Sequence, residues 1–118
     1  MIRSKENAER YNWGENCDGW RLVDETERSI IHERMPQHTS ETRHYHLQAK
    51  QFFFVLSGCL QIEIEGSINE LREGEGIEVI AGQRHRAFNS AGEDVEFLVI
   101  SNPNTRGDRF EVEQEEGT

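Results

Sequence analysis

His44-Tyr45-His46-Leu47-Gln48-Ala49-Lys50-Gln51-Phe52-Phe53-Phe54-Val55-Leu56-Ser57-Gly58 carries the most structural information in this chain. Two imidazoles at i and i+2 of an extended segment project from the same face, so His44 and His46 can reach one ion. Further on, Gly74, Gly82, His85 and Asn89 follow in the order of a turn, a strand entrance and a third inward imidazole. Three histidines and the amide oxygen of Gln51 can converge on a metal.

These two segments resemble the signature of the cupin family. Its first motif is His-x-His, three or four residues, Glu, six residues, Gly; here it reads His44, His46, Gln51, Gly58. Its second is Gly, five residues, Pro-x-Gly, two residues, His, three residues, Asn; here it reads Gly74, Ile80, Gly82, His85, Asn89. The resemblance extends over residues 28 to 101 and implies an all-β, single-domain cupin β-barrel, also described as a double-stranded β-helix or jelly roll. Two positions depart from the pattern. Ile80 replaces the family's Pro and alters a turn, whereas Gln51 replaces the usual Glu and alters the chemistry.

The length of 118 residues suits one domain, with a core over about residues 20–102 and peripheral segments at 1–19 and 103–118. A hydrophobic fraction of 34% is enough for such a core, because half-buried strands need apolar residues only at alternate positions. The net charge of −10 argues against nucleic acid, whose phosphates must be neutralised by Lys and Arg. No apolar run suggests a membrane span or a signal core, so a cytoplasmic protein with a small-molecule partner is expected. Cys17 and Cys59 fit neither a disulfide framework nor a zinc-ligand spacing and read as free thiols.

Residues 3–11 can make a short helix, although nothing apolar beyond Ala8 and Tyr11 repeats with helical period, and Trp13 and Trp20 are expected to cover one open end of the barrel. Strands are expected at 20–23 and 29–35, followed by a polar loop at 37–42. In the run from Gln51 to Leu56, a barrel strand directs Gln51, Phe53 and Val55 inward. Phe52, Phe54 and Leu56 then need a cover, for which a second subunit is the expected solution, making a homodimer. Leu60, Ile62 and Ile64 alternate with polar residues up to a hairpin turn at Gly66-Ser67. Further strands follow at 68–71, 77–80, around His85 and at 95–101. Residues 111–118 read as a solvated, partly disordered terminus, while Arg106 to Phe110 can fold back over the barrel mouth.

The resulting candidate metal ligands are His44, His46, Gln51 and His85, with His32 and His38 left outside the set. One divalent ion is expected, with Zn, Ni, Fe or Mn all compatible with these donors. Because Gln51 brings no charge, the ion keeps its full Lewis acidity. Phe53, Arg106 and Asp108 are candidates for substrate contact; Tyr45, Asp108 and Glu33 are candidates for moving a proton, though alternation turns Tyr45 away from the ion. A set of three histidines and a glutamine resembles the small cupins of pectin and alginate breakdown, which act on unsaturated uronates. That resemblance implies a metal-dependent isomerase or lyase-like enzyme acting on a small oxygen-rich molecule such as a sugar acid. A metal-dependent dioxygenase and a non-catalytic binding or sensor protein are the alternatives.

Overall fold

The computed structural model describes residues 1–112. Its strands are β1 (Glu9–Trp13), β2 (Cys17–Asp24), β3 (Ser29–Met35), β4 (Thr39–Ser40), β5 (His44–Tyr45), β6 (Lys50–Ser57), β7 (Leu60–Ile64), β8 (Ser67–Leu71), β9 (Gly76–Val79), β10 (His85–Asn89), β11 (Val95–Asn102) and β12 (Phe110–Glu111). They form two sheets, ordered β1-β2-β3-β11-β6-β9 and β12-β5-β10-β7-β8, with β4 on the side of β10. Every pairing is antiparallel. The fold is the all-β double-stranded β-helix, or jelly roll, and no helix occurs among the described residues.

Inward residues of both sheets make the core. Met35, Val55, Leu60, Ile62, Val95 and Phe97 are completely buried. On β6 the alternation is as expected, with Gln51, Phe53 and Val55 buried and Phe52 and Leu56 exposed. Gly58, which follows this strand, has φ +86° and lies where a Cβ would meet the Asp94 carbonyl at 2.6 Å. Both the left-handed backbone and the close approach require glycine there.

Four local expectations change. Residues 9–13 form the edge strand β1 instead of ending a helix, because pairing with β2 satisfies their backbone groups while an isolated helix of that length is marginal. Trp20 does not close the barrel: it lies on the outer sheet face, edge-on to His32 and beneath the Lys5 ammonium. Trp13 alone of the pair packs against the core and faces the lumen. The hairpin between β7 and β8 turns at Glu65-Gly66, one residue earlier than expected, with both residues at positive φ as a tight two-residue turn demands. The loop at 37–42 contains the short strand β4, paired with Phe88 and Asn89.

At the end of the described chain, β12 pairs with β5. This gives Phe110 and Glu111 an ordered place, and Glu111 was expected to belong to the solvated terminus. Residues 113–118 of that terminus lie outside the described residues.

Candidate metal centre

His44 and His85 are direct cross-strand partners on β5 and β10, and His46 follows two residues after His44. Their ring centroids lie 4.4 Å (His44–His85), 5.0 Å (His44–His46) and 5.5 Å (His46–His85) apart. One nitrogen from each ring lies within 4.8 Å of the others, and all three side chains are buried. Gly82 N–H donates to the His46 carbonyl at 2.7 Å, tying the second motif to the first.

The outer nitrogens explain how the rings are oriented. His44 Nδ1 meets the Thr42 carbonyl at 2.9 Å, His85 Nδ1 the Gln83 carbonyl at 2.9 Å, and His46 Nδ1 the Asp108 carbonyl at 2.5 Å. A carbonyl can only accept, so each Nδ1 carries the proton and each Nε2 presents a lone pair. That tautomer is the one a metal-binding histidine adopts when its second nitrogen is anchored by the protein. His46 Nε2 is buried without a partner, a cost that a ligand at this point would remove.

Gln51 enters from the opposite sheet. Its Nε2 donates to the Ser101 hydroxyl at 3.0 Å, and its Oε1 lies 3.2 Å from His85 Nε2. The amide oxygen therefore points at the imidazoles. Burial, reinforced by the nearby Arg109 charge, pushes the pKa of His44 down to about 3. Burial likewise lowers His85, to about 4, and also lowers His46. All three rings are neutral near pH 7, the state in which imidazole binds metals. The donor set thus fits a divalent ion, with His44, His46 and His85 able to hold it and the Gln51 oxygen beside them.

The centre opens into a cavity of about 480 Å³. Phe53 and Glu33 both line it. Arg106 is turned outward to the Asp24 carboxylate. The Asp108 carboxylate accepts from the backbone N–H groups of Leu47, Gln48 and Ala49 at 2.8, 3.0 and 3.0 Å. Although burial opposes it, these bonds hold the Asp108 carboxyl below its ordinary range. Asp108 is therefore an anchor that locks the C-terminal segment to the turn after His46, neither a substrate contact nor a proton carrier. Tyr45 points away from the rings, stacked on Phe110 and capped by the Arg84 guanidinium. The fold-back expected for residues 106–110 does occur, and it brings Thr105, Arg109 and Glu111 to the cavity wall.

Several lining residues carry no signal in the sequence. Tyr11 and Arg21 come from strands outside both motifs, Glu41 precedes the first, and Ser101 lies at the far end of the chain. Ser101 reaches Gln51 only because β11 and β6 pair in that register. Burial, with the Glu41 charge adding to it, pushes the Glu33 carboxyl up to about 8. Burial also pushes Glu41 up to about 7, against the Ala87 N–H and the Arg109 and Arg86 charges. Two carboxyl groups poised near neutrality in a cavity that opens beside three imidazoles are the usual equipment for proton transfer.

Comparison with known proteins agrees with this architecture. The family model described as a cupin domain matches residues 31–101. A polyketide synthase, CurC, from Streptomyces cyaneus is 27% identical over 62 residues, covering 52% of this chain and 40% of that protein. Among solved structures, KdgF from Halomonas sp. superposes with a TM-score of 0.81 at 14% identity, covering 91% of this chain and 98% of that one. The polyketide cyclase RemF from Streptomyces resistomycificus superposes with a TM-score of 0.80 at 19% identity, covering 98% and 88%.

Proposed function

The chain belongs to the cupin family, and from that premise we propose that it is a metal-dependent enzyme of isomerase or lyase type acting on a small oxygen-rich molecule. The observation that carries this reading is the set of three neutral imidazoles whose Nδ1 groups are anchored on carbonyls and whose Nε2 atoms converge beside a cavity bearing two near-neutral carboxyl groups. His44, His46 and His85 would hold a divalent ion, with Gln51 as the fourth donor. Such an ion, when bound, supplies Lewis acidity and chelation of neighbouring substrate oxygens.

The chain's own residues do the rest. Phe53, Val99 and Ile31 give the cavity an apolar stretch of wall against which the carbon frame of a substrate can rest. Glu41, whose Oε2 accepts from the Ala87 N–H at 2.8 Å, is held on the β10 side of the cavity and can take up or deliver a proton near pH 7. A polyketide cyclase and the sugar-acid cupins suggested by the motif both fit this general chemistry, and a cytoplasmic setting belongs to the same reading.

The test is a panel of hydroxy-carbonyl compounds, uronic acids included, incubated in D₂O with protein loaded with Zn, Ni, Mn or Fe. Carbon-bound deuterium or product formation with wild type, absent with His46→Ala, is the expected result. Binding without exchange or product would make the protein a sensor. Oxygen consumption confined to the iron form would make it a dioxygenase.

A further inference from the structure

Cross-strand register arranges the inner face of the first sheet in three rows. Gln51, Ser101 and Ser29 form the row at the imidazoles; Phe53, Val99, Ile31, Arg21 and Glu9 form the next; Val55, Phe97, Glu33, Gly19 and Tyr11 form the third. The first and third rows are four residues apart along the strands, or about 13 Å. The cavity touches all three, through Gln51 and Ser101, then Phe53, Val99 and Ile31, then Glu33 and Tyr11. It has a polar end at the imidazoles, a middle stretch where Phe53, Val99 and Ile31 are followed by Arg21, and a second polar end.

The second end is built around a missing side chain. A Cβ on Gly19 would lie 2.5 Å from the Tyr11 ring, so the ring occupies the space above this glycine in the middle of β2. Glycine inside a strand weakens it and marks a close approach. Here the approach lets the Tyr11 hydroxyl cross one strand and reach Glu33 Oε2 at 3.4 Å. Among the described residues no hydrogen bond reaches Glu33 Oε1.

Resting on the metal-centre reading above, we propose that Glu33, positioned by Tyr11 across Gly19, is a neutral hydrogen-bond donor to the far end of the substrate. The substrate class is then an oxygen-bearing molecule long enough to span the cavity, with chelating oxygens at one end and a carbonyl oxygen at the other. A molecule too short to span the rows would fill the imidazole end and leave Glu33 unused. The groups facing Glu33 are Tyr11 from β1, Arg21 from β2, Glu41 from the segment before β5 and Arg109 from the segment before β12. Burial and the Glu41 charge outweigh Arg109, Arg21 and the Tyr11 hydroxyl, so the carboxyl keeps its proton at neutral pH. With Tyr11 donating to Oε2, that proton sits on Oε1 and can point into the cavity.

Two chelating probes of equal size separate the ends. In 6,7-dihydroxycoumarin a catechol is opposed by a lactone carbonyl; in 2,3-dihydroxynaphthalene the same catechol is opposed by plain ring carbons. Affinities are measured calorimetrically on zinc-loaded protein at pH 7. The coumarin-to-naphthalene preference of wild type should exceed that of Glu33→Leu by about tenfold, the worth of one buried hydrogen bond. Glu33→Gln, a neutral donor of the same shape, should keep the preference, and Tyr11→Phe should reduce it. Raising the pH above 8 should abolish the preference in wild type and leave it in Glu33→Gln. Equal preferences in wild type and Glu33→Leu, or no binding of either probe to zinc-loaded protein, would overturn the proposal and leave the metal centre standing. Failure of the protein to take up zinc would overturn the metal centre and this inference with it.

Discussion

The Gln51 side chain is held by Ser101: its amide nitrogen donates to the Ser101 hydroxyl at 3.0 Å, and this single bond decides that the amide oxygen faces His85. An unrestrained glutamine presents either end with little preference. Ser101→Ala removes the restraint without altering any candidate ligand. We expect the zinc affinity of Ser101→Ala, measured by competition with a chelator, to fall about tenfold, as for other partners that orient ligands. An unchanged affinity would show that Gln51 does not contribute an oxygen to the ion.

His46 has a more direct role. Its buried Nε2 lacks a partner and its Nδ1 is anchored on Asp108, so nothing except a ligand in the centre satisfies the ring. His46→Ala should remain folded and lose most of its metal after purification identical to that of wild type. Equal metal content by atomic emission would sink the assignment.

Charge at position 51 sets metal preference. Gln51→Glu keeps the shape and adds a negative charge beside three neutral imidazoles, which favours harder ions. Competition between Zn and Mn should therefore shift toward Mn in the variant. No shift in relative affinity would place Gln51 outside the ligand set.

Glu33 should leave a signature in stability as well as in binding. Its folded-state pKa, about 8, is raised above the ordinary value of 4.5, so the folded state holds a proton that the unfolded chain releases. The stabilisation is fully present below pH 4.5 and is lost as pH rises toward 8. Between pH 5 and 9, metal-free wild type should lose on the order of a few kcal/mol relative to Glu33→Gln in urea unfolding. Parallel pH profiles for the two proteins would mean that Glu33 is ionised in the folded state at neutral pH.

We propose a homodimer built on the outer face of the first sheet. Phe52 and Leu56 are 39% and 37% exposed, and Phe52 stacks on Phe54. The register continues this surface through Ile100 and Leu98 to Ile30 on β3, producing an apolar band across three strands. Burying each large side chain is worth roughly 1.5 to 3 kcal/mol, and a two-fold pairing lets one band cover another. Sedimentation should give a dimer for wild type at micromolar concentration and a monomer for Phe54→Glu. A monomeric wild type would refute the pairing.

The sequence by itself determined the β class, the inward phase of β6 and the convergence of His44, His46 and His85. Each of these follows from local rules: strand side chains alternate with period two, glycine accepts positive φ at turns, and the two motifs keep their spacing. The edge strand at 9–13 was not legible, because a short polar segment has no strong preference and takes the conformation that its neighbour's backbone offers. Nor was the place of Trp20, since one residue of phase moves a side chain from the lumen to the outer face, and that phase is set by pairing with β3. The second polar end of the cavity was decided by tertiary structure alone. Tyr11, Gly19 and Glu33 meet because three strands align in register, and Ser101 meets Gln51 across fifty residues of chain for the same reason. Such contacts depend on register between distant strands, which backbone pairing and the packing of the whole core select together, and no local run of residues encodes it.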